Sequence, residues 1–219
     1  MLKLMKLDWT AIKCYRIRCL LIPVALLVNG IFSTILMAPL GVFLLFSFSI
    51  NFFAVEEQWN LNRLYLTLPV NRNRMVVGRY LLSLLLFLTG VLSGFALMPF
   101  ANLFSFSRWY PDWKWRLALG AFCFLIYALM NLAMYPVLFK LGYQKGRIWG
   151  YYIPCILTGL IYLALVEYDI MTGGTFIRDA LLYAAEHILT VSGGIRLLGA
   201  AVWALSLCLS LRIYARREF

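Results

Sequence analysis

Apolar residues run along the chain in six long stretches separated by short polar breaks. A helix rises about 1.5 Å per residue, so crossing about 30 Å of hydrocarbon takes roughly 20 mainly apolar residues. Residues 19–37, 40–55, 80–100, 117–139, 149–166 and 195–214 meet that requirement, the second being short. Pro39-Leu40-Gly41 is the expected break after the first stretch. The pattern predicts an all-α polytopic membrane protein, one transmembrane domain over residues 1–219 with six transmembrane helices.

Three segments between or before the spans also carry a pattern. In residues 1–18, Met5, Trp9 and Ile12 recur at helical spacing while Lys6, Lys13 and Arg16 fall elsewhere. That predicts an N-terminal interfacial helix with its apolar face in the membrane and its basic face toward anionic lipid. In residues 167–194, Ile177, Leu181, Ala184 and Ile188 share a helical face between the breaks Gly173-Gly174 and Gly193-Gly194. An external loop with a short helix is expected there. Residues 56–79 hold a short amphipathic run that ends at Leu68-Pro69-Val70, because the residue before a proline avoids the helical region. Asn71 is placed to cap the helix that continues into the third span.

Composition agrees with a lipid environment. Hydrophobic residues make up 63% of the 219 and charged residues 13%, with a mean hydropathy of +0.84. Soluble domains carry about 25% charged residues, so a soluble enzyme, a secreted disulfide scaffold and a disordered tail are excluded. The net charge of +11 is explained by the enrichment of Lys and Arg in cytoplasmic loops and does not call for nucleic acid. With the N-terminus inside, fifteen of the 20 basic residues fall on the cytoplasmic side; Arg108, Lys114, Arg116, Arg178 and Arg196 fall outside. Both termini are therefore expected in the cytoplasm.

Candidate chemistry is sparse. No phosphate-binding loop occurs, the single histidine is His187, and the five cysteines form no paired motif. No catalytic, metal or cofactor site is expected. Glu56-Glu57 resembles the start of an EExxxR protease motif, but Leu61 stands where the arginine belongs and Arg63 lies too far along. No carboxylate or histidine lies within a span to relay protons, so the energy source has to be external. Asn29, Asn51, Asn131, Ser47, Ser49, Ser83, Thr89 and Ser93 remain within the spans and read as interhelical hydrogen-bonding groups. Gly90-x-x-x-Gly94 reads as a close helix contact, and Pro23, Pro136 and Pro154 as kinks.

The loop after the second span carries a further likeness. Glu57, Asn60, Leu68-Pro69-Val70, Arg72, and Val77-Gly78-Arg79-Tyr80 together resemble the permease subunits of type-two ATP-binding-cassette exporters. Those permeases include the membrane subunits of exporters of phenol-soluble modulins and related bacterial peptides. The resemblance implies a permease of the bacterial cytoplasmic membrane with no nucleotide site of its own. ATP and Mg would be held by a separate ATPase subunit, and a second permease copy or paralogue would complete the pathway. It implies a short cytoplasmic coupling helix between the second and third spans, with Glu56, Glu57, Asn60, Leu64, Leu68, Pro69, Val70, Arg72, Arg74, Gly78 and Arg79 as ATPase-coupling residues. It further implies a pathway at the interface of two copies, where Asn51, Asn131 and Pro154 are candidates. An amphipathic or antimicrobial peptide is the expected substrate. The external stretch suits a cationic one, with Glu167, Asp169, Asp179 and Glu186 against Arg178. A membrane-embedded immunity or scaffold protein that sequesters a peptide without pumping is the alternative.

Overall fold

The computed structural model describes residues 16–32, 34, 37–58, 72–104, 112–171 and 183–216. Its helices are α1 (Arg16–Phe32), α2 (Met37–Phe48), α3 (Ile50–Gln58), α4 (Arg72–Phe104), α5 (Trp113–Arg147), a π-helical turn (Ile148–Tyr152), α6 (Ile153–Met171) and α7 (Ile188–Ala215). The expected interfacial helix at residues 1–15 and the candidate coupling helix at 59–71 lie outside the described residues. Four candidate membrane spans are present: Met37–Glu57, Asn73–Phe104, Trp113–Leu157 and Ile188–Ala215. Leu21–Ile31 is a shorter apolar helix.

Two expected breaks are absent, and both for steric reasons. The chain does not turn at Pro39-Leu40-Gly41; α2 already begins at Met37. Pro39 sits in the first helical turn, where its missing N–H has no carbonyl to lose. The second apolar helix run is therefore 21 residues long, enough to cross a bilayer. It bends only at Ser49, whose N–H and hydroxyl both donate to Phe46 O, at 2.9 and 2.6 Å. Likewise α7 runs unbroken through Gly193 and Gly194, where no described atom stands within 4 Å of an added Cβ. Glycine costs an apolar helix only about 1 kcal/mol, and the residues on either side carry it through.

The long stretch Trp113–Leu157 reverses inside itself. Gly142 has φ 77°, a left-handed conformation that favours glycine because it has no Cβ to clash. The returning segment packs against the one it left. A Cβ on Gly146 would lie 2.8 Å from Leu138 Cδ2, and one on Gly150 would lie 3.2 Å from Met134 Cα. Gly142, Gly146 and Gly150 are thus the small face of a helical hairpin.

Helix α5 packs most extensively on α7, and α2 on α4. At the α2–α4 crossing, Gly41 and Gly90 meet so closely that a Cβ on either would come within 2.9 Å of the other's carbonyl oxygen. A Cβ on Gly94 would lie 2.6 Å from Ala38 Cα, so the Gly90-x-x-x-Gly94 face makes the contact its spacing predicts. Helix α6 continues directly from the π turn that precedes it, and Ile156, Leu157 and Leu160 are exposed to the surroundings.

The core between α2, α3, α4, α5 and α7 is aromatic. Phe46, Phe53, Tyr80, Phe87, Tyr127, Tyr135, Phe139 and Tyr214 are buried together, with edge-on pairs such as Phe46–Tyr127 at 5.9 Å and Phe53–Phe139 at 5.2 Å. Such pairs add about 0.5–1.5 kcal/mol each beyond area burial, which matters where lipid removes the hydrophobic gain of helix association.

A Gly90→Leu exchange should therefore force α2 and α4 apart and destabilise the protein by about 1–3 kcal/mol, whereas Gly193→Ala, facing open space, should stay within about 1 kcal/mol of the parent. Unfolding of the purified protein in mixed micelles reads both; equal effects would contradict the crossing described here.

Candidate coupling site

Helix α3 ends in two adjacent acids with different partners. Glu56 is buried, and its Oε2 accepts a hydrogen bond from Arg79 Nη2 at 2.5 Å. Glu57 is exposed, and its Oε2 accepts from the backbone N–H groups of Tyr143 at 2.7 Å and Gln144 at 3.3 Å. Those two amides begin the helical segment that leaves Gly142, where N–H groups have no helical carbonyl to bond and a carboxylate is favoured. One dipeptide therefore ties α3 to α4 on one side and to the α5 hairpin on the other.

Arg79 reaches its partner through aromatic surroundings. Its Cζ lies 4.4 Å from the Phe53 ring centroid and 5.7 Å from that of Phe139. Removing two charges from water is costly, and attraction repays it only when geometry is good and further contacts compensate. The short bond to Glu56 and the ring faces supply both. Beside the pair lies a cavity of about 160 Å³, lined by Phe53, Glu57, Arg79, Phe139, Gly142 and Tyr214 among others. It is the meeting point of α3, α4, α5 and the end of α7.

Of the residues expected to couple to an ATPase, Glu56, Glu57 and Arg79 thus converge on this junction. Gly78 is buried beside it in sequence, Arg74 is exposed on the first turn of α4, and α4 starts at Arg72. Asn60, Leu64, Leu68, Pro69 and Val70 lie outside the described residues. The candidate pathway residues do not form a cluster with them. Asn51 is half-buried near the start of α3. Asn131 is fully buried in α5, where its Nδ2 donates to Tyr127 O at 2.8 Å. Pro154 is half-buried in the first turn of α6.

The polar groups within the helices divide: Ser47 and Ser83 make the expected interhelical bonds, whereas Thr89, Ser93 and Ser49 do not. Thr89 bonds Leu86 O, Ser93 bonds Gly90 O and Ser49 bonds Phe46 O, each within its own helix segment or the turn following it. A short hydroxyl reaches its own backbone more readily than a neighbouring helix. The bridges between helices use tyrosine, whose hydroxyl stands far from the backbone. Tyr80 Oη pairs with Ser206 and Ser210 of α7 at 2.7 and 2.8 Å, Tyr127 Oη with Ser83 at 2.8 Å, and Tyr151 Oη with Ser47 at 2.5 Å.

Sequence reasoning named Tyr80 only as part of the loop motif and did not pick out Tyr127 or Tyr151, nor Gly142 and the roles of Gly146 and Gly150. The repeat Gly-x-x-x-Gly-x-x-x-Gly over residues 142–150 is a readable signal for the hairpin. Nothing in the sequence pattern distinguishes a bridging tyrosine from a packing one.

Replacing Arg79 alone with Met leaves the Glu56 carboxylate buried without its partner and should cost about 3–5 kcal/mol. Replacing both, as Glu56→Leu with Arg79→Met, should recover most of that loss. Equilibrium unfolding of the single and double variants makes the comparison, and equal destabilisation would mean that the pair is not the source of the cost.

The chain as a whole matches one known family. The model described as "ABC-2 family transporter protein" covers residues 2–215. No curated protein and no solved structure matches the chain. With its all-helical, multi-pass architecture, the chain belongs to the ABC-2 transporter family, as the membrane permease subunit of an ATP-binding-cassette transporter whose ATPase is a partner protein.

Proposed function

We propose that this permease exports an amphipathic peptide across the bacterial cytoplasmic membrane and takes its energy from an ATPase docked on residues 59–71. In this reading the chain crosses the membrane six times with both termini in the cytoplasm, and a second copy or paralogue completes the pathway. ATP and Mg stay on the ATPase subunit. Leu68 and its neighbours enter a groove on that subunit, and Arg72 and Arg74 flank the contact.

The grip of Glu56-Glu57 supports this reading. The proposed docking segment joins α3 to α4, and the Glu56–Arg79 pair fastens those two helices to each other just inside it. Glu57 fastens the Gly142 hairpin to the same point. A push on residues 59–71 therefore reaches α3, α4 and α5 together instead of being absorbed by a slack loop. Arg79 leads directly to Tyr80, whose hydroxyl bonds to α7, so the displacement is handed on to the last helix. Nucleotide-driven approach of two ATPases would bias such a body between inward- and outward-facing states, provided that the ATPase binds the two with different affinity.

Two variants separate docking from transmission. Leu68→Asp should abolish co-purification of the ATPase; undiminished binding would refute the docking segment. Glu57→Ala should leave binding intact but lower peptide-stimulated ATP hydrolysis and transport by about tenfold, the loss that about 1.4 kcal/mol of coupling would produce. Parent-level transport in that variant would refute the transmission role. Peptide protection of cells by a chain that never associates with an ATPase would instead favour sequestration without pumping.

A further inference from the structure

We propose that the end of the bundle opposite the Glu56–Arg79 pair holds the headgroup phosphate of an anionic phospholipid, between the start of α5 and the third turn of α7. Arg196 Nη2 donates to the Leu117 carbonyl at 2.9 Å, which brings this guanidinium from α7 onto the first turns of α5. Lys114 lies one turn before Leu117 on the same helix face, since residues three apart are neighbours. Its Nζ stands 5.9 Å from the Trp113 ring centroid. Arg116 is on the same turn, and Lys114, Arg116 and Arg196 are all exposed. Trp113 and Trp115 are exposed beside them, at 60% and 42%. Asp112, just before the helix, makes no side-chain cap bond, and the patch carries a surplus of positive charge.

Depth is what turns this charged patch into a lipid site. Arg196 is 18 residues before Tyr214, which lines the cavity at the Glu56–Arg79 pair. Along a helix that is roughly 27 Å, close to the ~30 Å of bilayer hydrocarbon. With one charged junction at one membrane surface, Arg196 falls at the other. Tryptophans favour that level, with the ring at the headgroup boundary. An arginine whose carbonyl bond uses a single N–H retains further donors in its planar fork, the arrangement suited to phosphate. Lysine adds a second cation one turn away. A cationic group in lipid also has to find a counter-charge, and an anionic headgroup supplies it without an acidic side chain.

The site does not depend on which protein or peptide the permease handles, so its test is separate from that of the export reading. The full-length protein, purified in detergent, is titrated with phosphatidylglycerol or with phosphatidylcholine of the same acyl chains, and bound lipid is counted by native mass spectrometry. Each cation near an anionic headgroup is worth about 1 kcal/mol, or about fivefold. Arg196→Gln and Lys114→Gln should each weaken phosphatidylglycerol binding by about that factor, and the pair by more, with phosphatidylcholine unchanged. Two variants at the other end, Lys140→Gln and Lys145→Gln, control for binding there and should leave the affected lipid in place. Unchanged phosphatidylglycerol retention in the Lys114/Arg196 double variant overturns the proposal. So does equal loss of both lipids, or loss in the Lys140/Lys145 variants alone. Because Arg196→Gln also removes the bond to Leu117, Lys114→Gln, which breaks no such bond, keeps the result interpretable if the first variant is unstable.

Discussion

A buried charge is tolerated only where its partner is fixed, and in this permease the fixing of Arg79 organises one whole end of the bundle. Its guanidinium needs the Glu56 carboxylate and the faces of Phe53 and Phe139. Satisfying it sets the distance of α3 from α4 and brings α5 against both. Glu57 then has only one direction left, toward the amides that Gly142 leaves open. A glycine with positive φ, two acids and one arginine thus place the ends of α3, α4 and the α5 hairpin relative to one another. Away from that end, association rests on close backbone contact at Gly41, Gly90 and Gly94 and on tyrosine bridges such as Tyr127–Ser83. Both are ways of holding helices together where apolar burial gives no preference for a neighbour over lipid.

This division of labour fits a subunit driven from outside. In the proposed reading, a docked ATPase supplies the motion. The membrane-embedded part is cross-linked by many weak contacts, whereas the end nearest residues 59–71 is tied by a few strong ones. If an ATPase docks on residues 59–71 as proposed, force enters at the end held by the ion pair and the Glu57 bonds.

Much of the fold was legible because lipid imposes a simple rule on composition. Each apolar stretch is helical, and the Gly90-x-x-x-Gly94 spacing identified a real crossing. Punctuation was less reliable. Pro39 and Gly193-Gly194 read as breaks by local preference, yet a proline in a first turn and a glycine pair in a long apolar helix cost too little to stop either helix. At the candidate site, the identity of Glu56, Glu57 and Arg79 was readable from the loop pattern, but their partners were not. Glu57 bonds backbone amides some 86 residues away, and backbone amides leave no trace in side-chain chemistry. The tyrosine bridges were hidden for a related reason: a hydroxyl at the tip of a ring is indistinguishable, in sequence, from a ring that merely packs.

The rigid junction is tested most directly by distances between spin labels at Arg74 and Gln144, both exposed. Measured by pulsed electron resonance in the assembled transporter with and without ATP, the distance between these two sites in one chain should stay the same. The distance from Arg74 to its counterpart in a second copy should change. If the 74-to-144 distance shifts with nucleotide while α4 stays in place, α4 and the Gly142 hairpin move independently, and the Glu56-Glu57 junction does not transmit the motion.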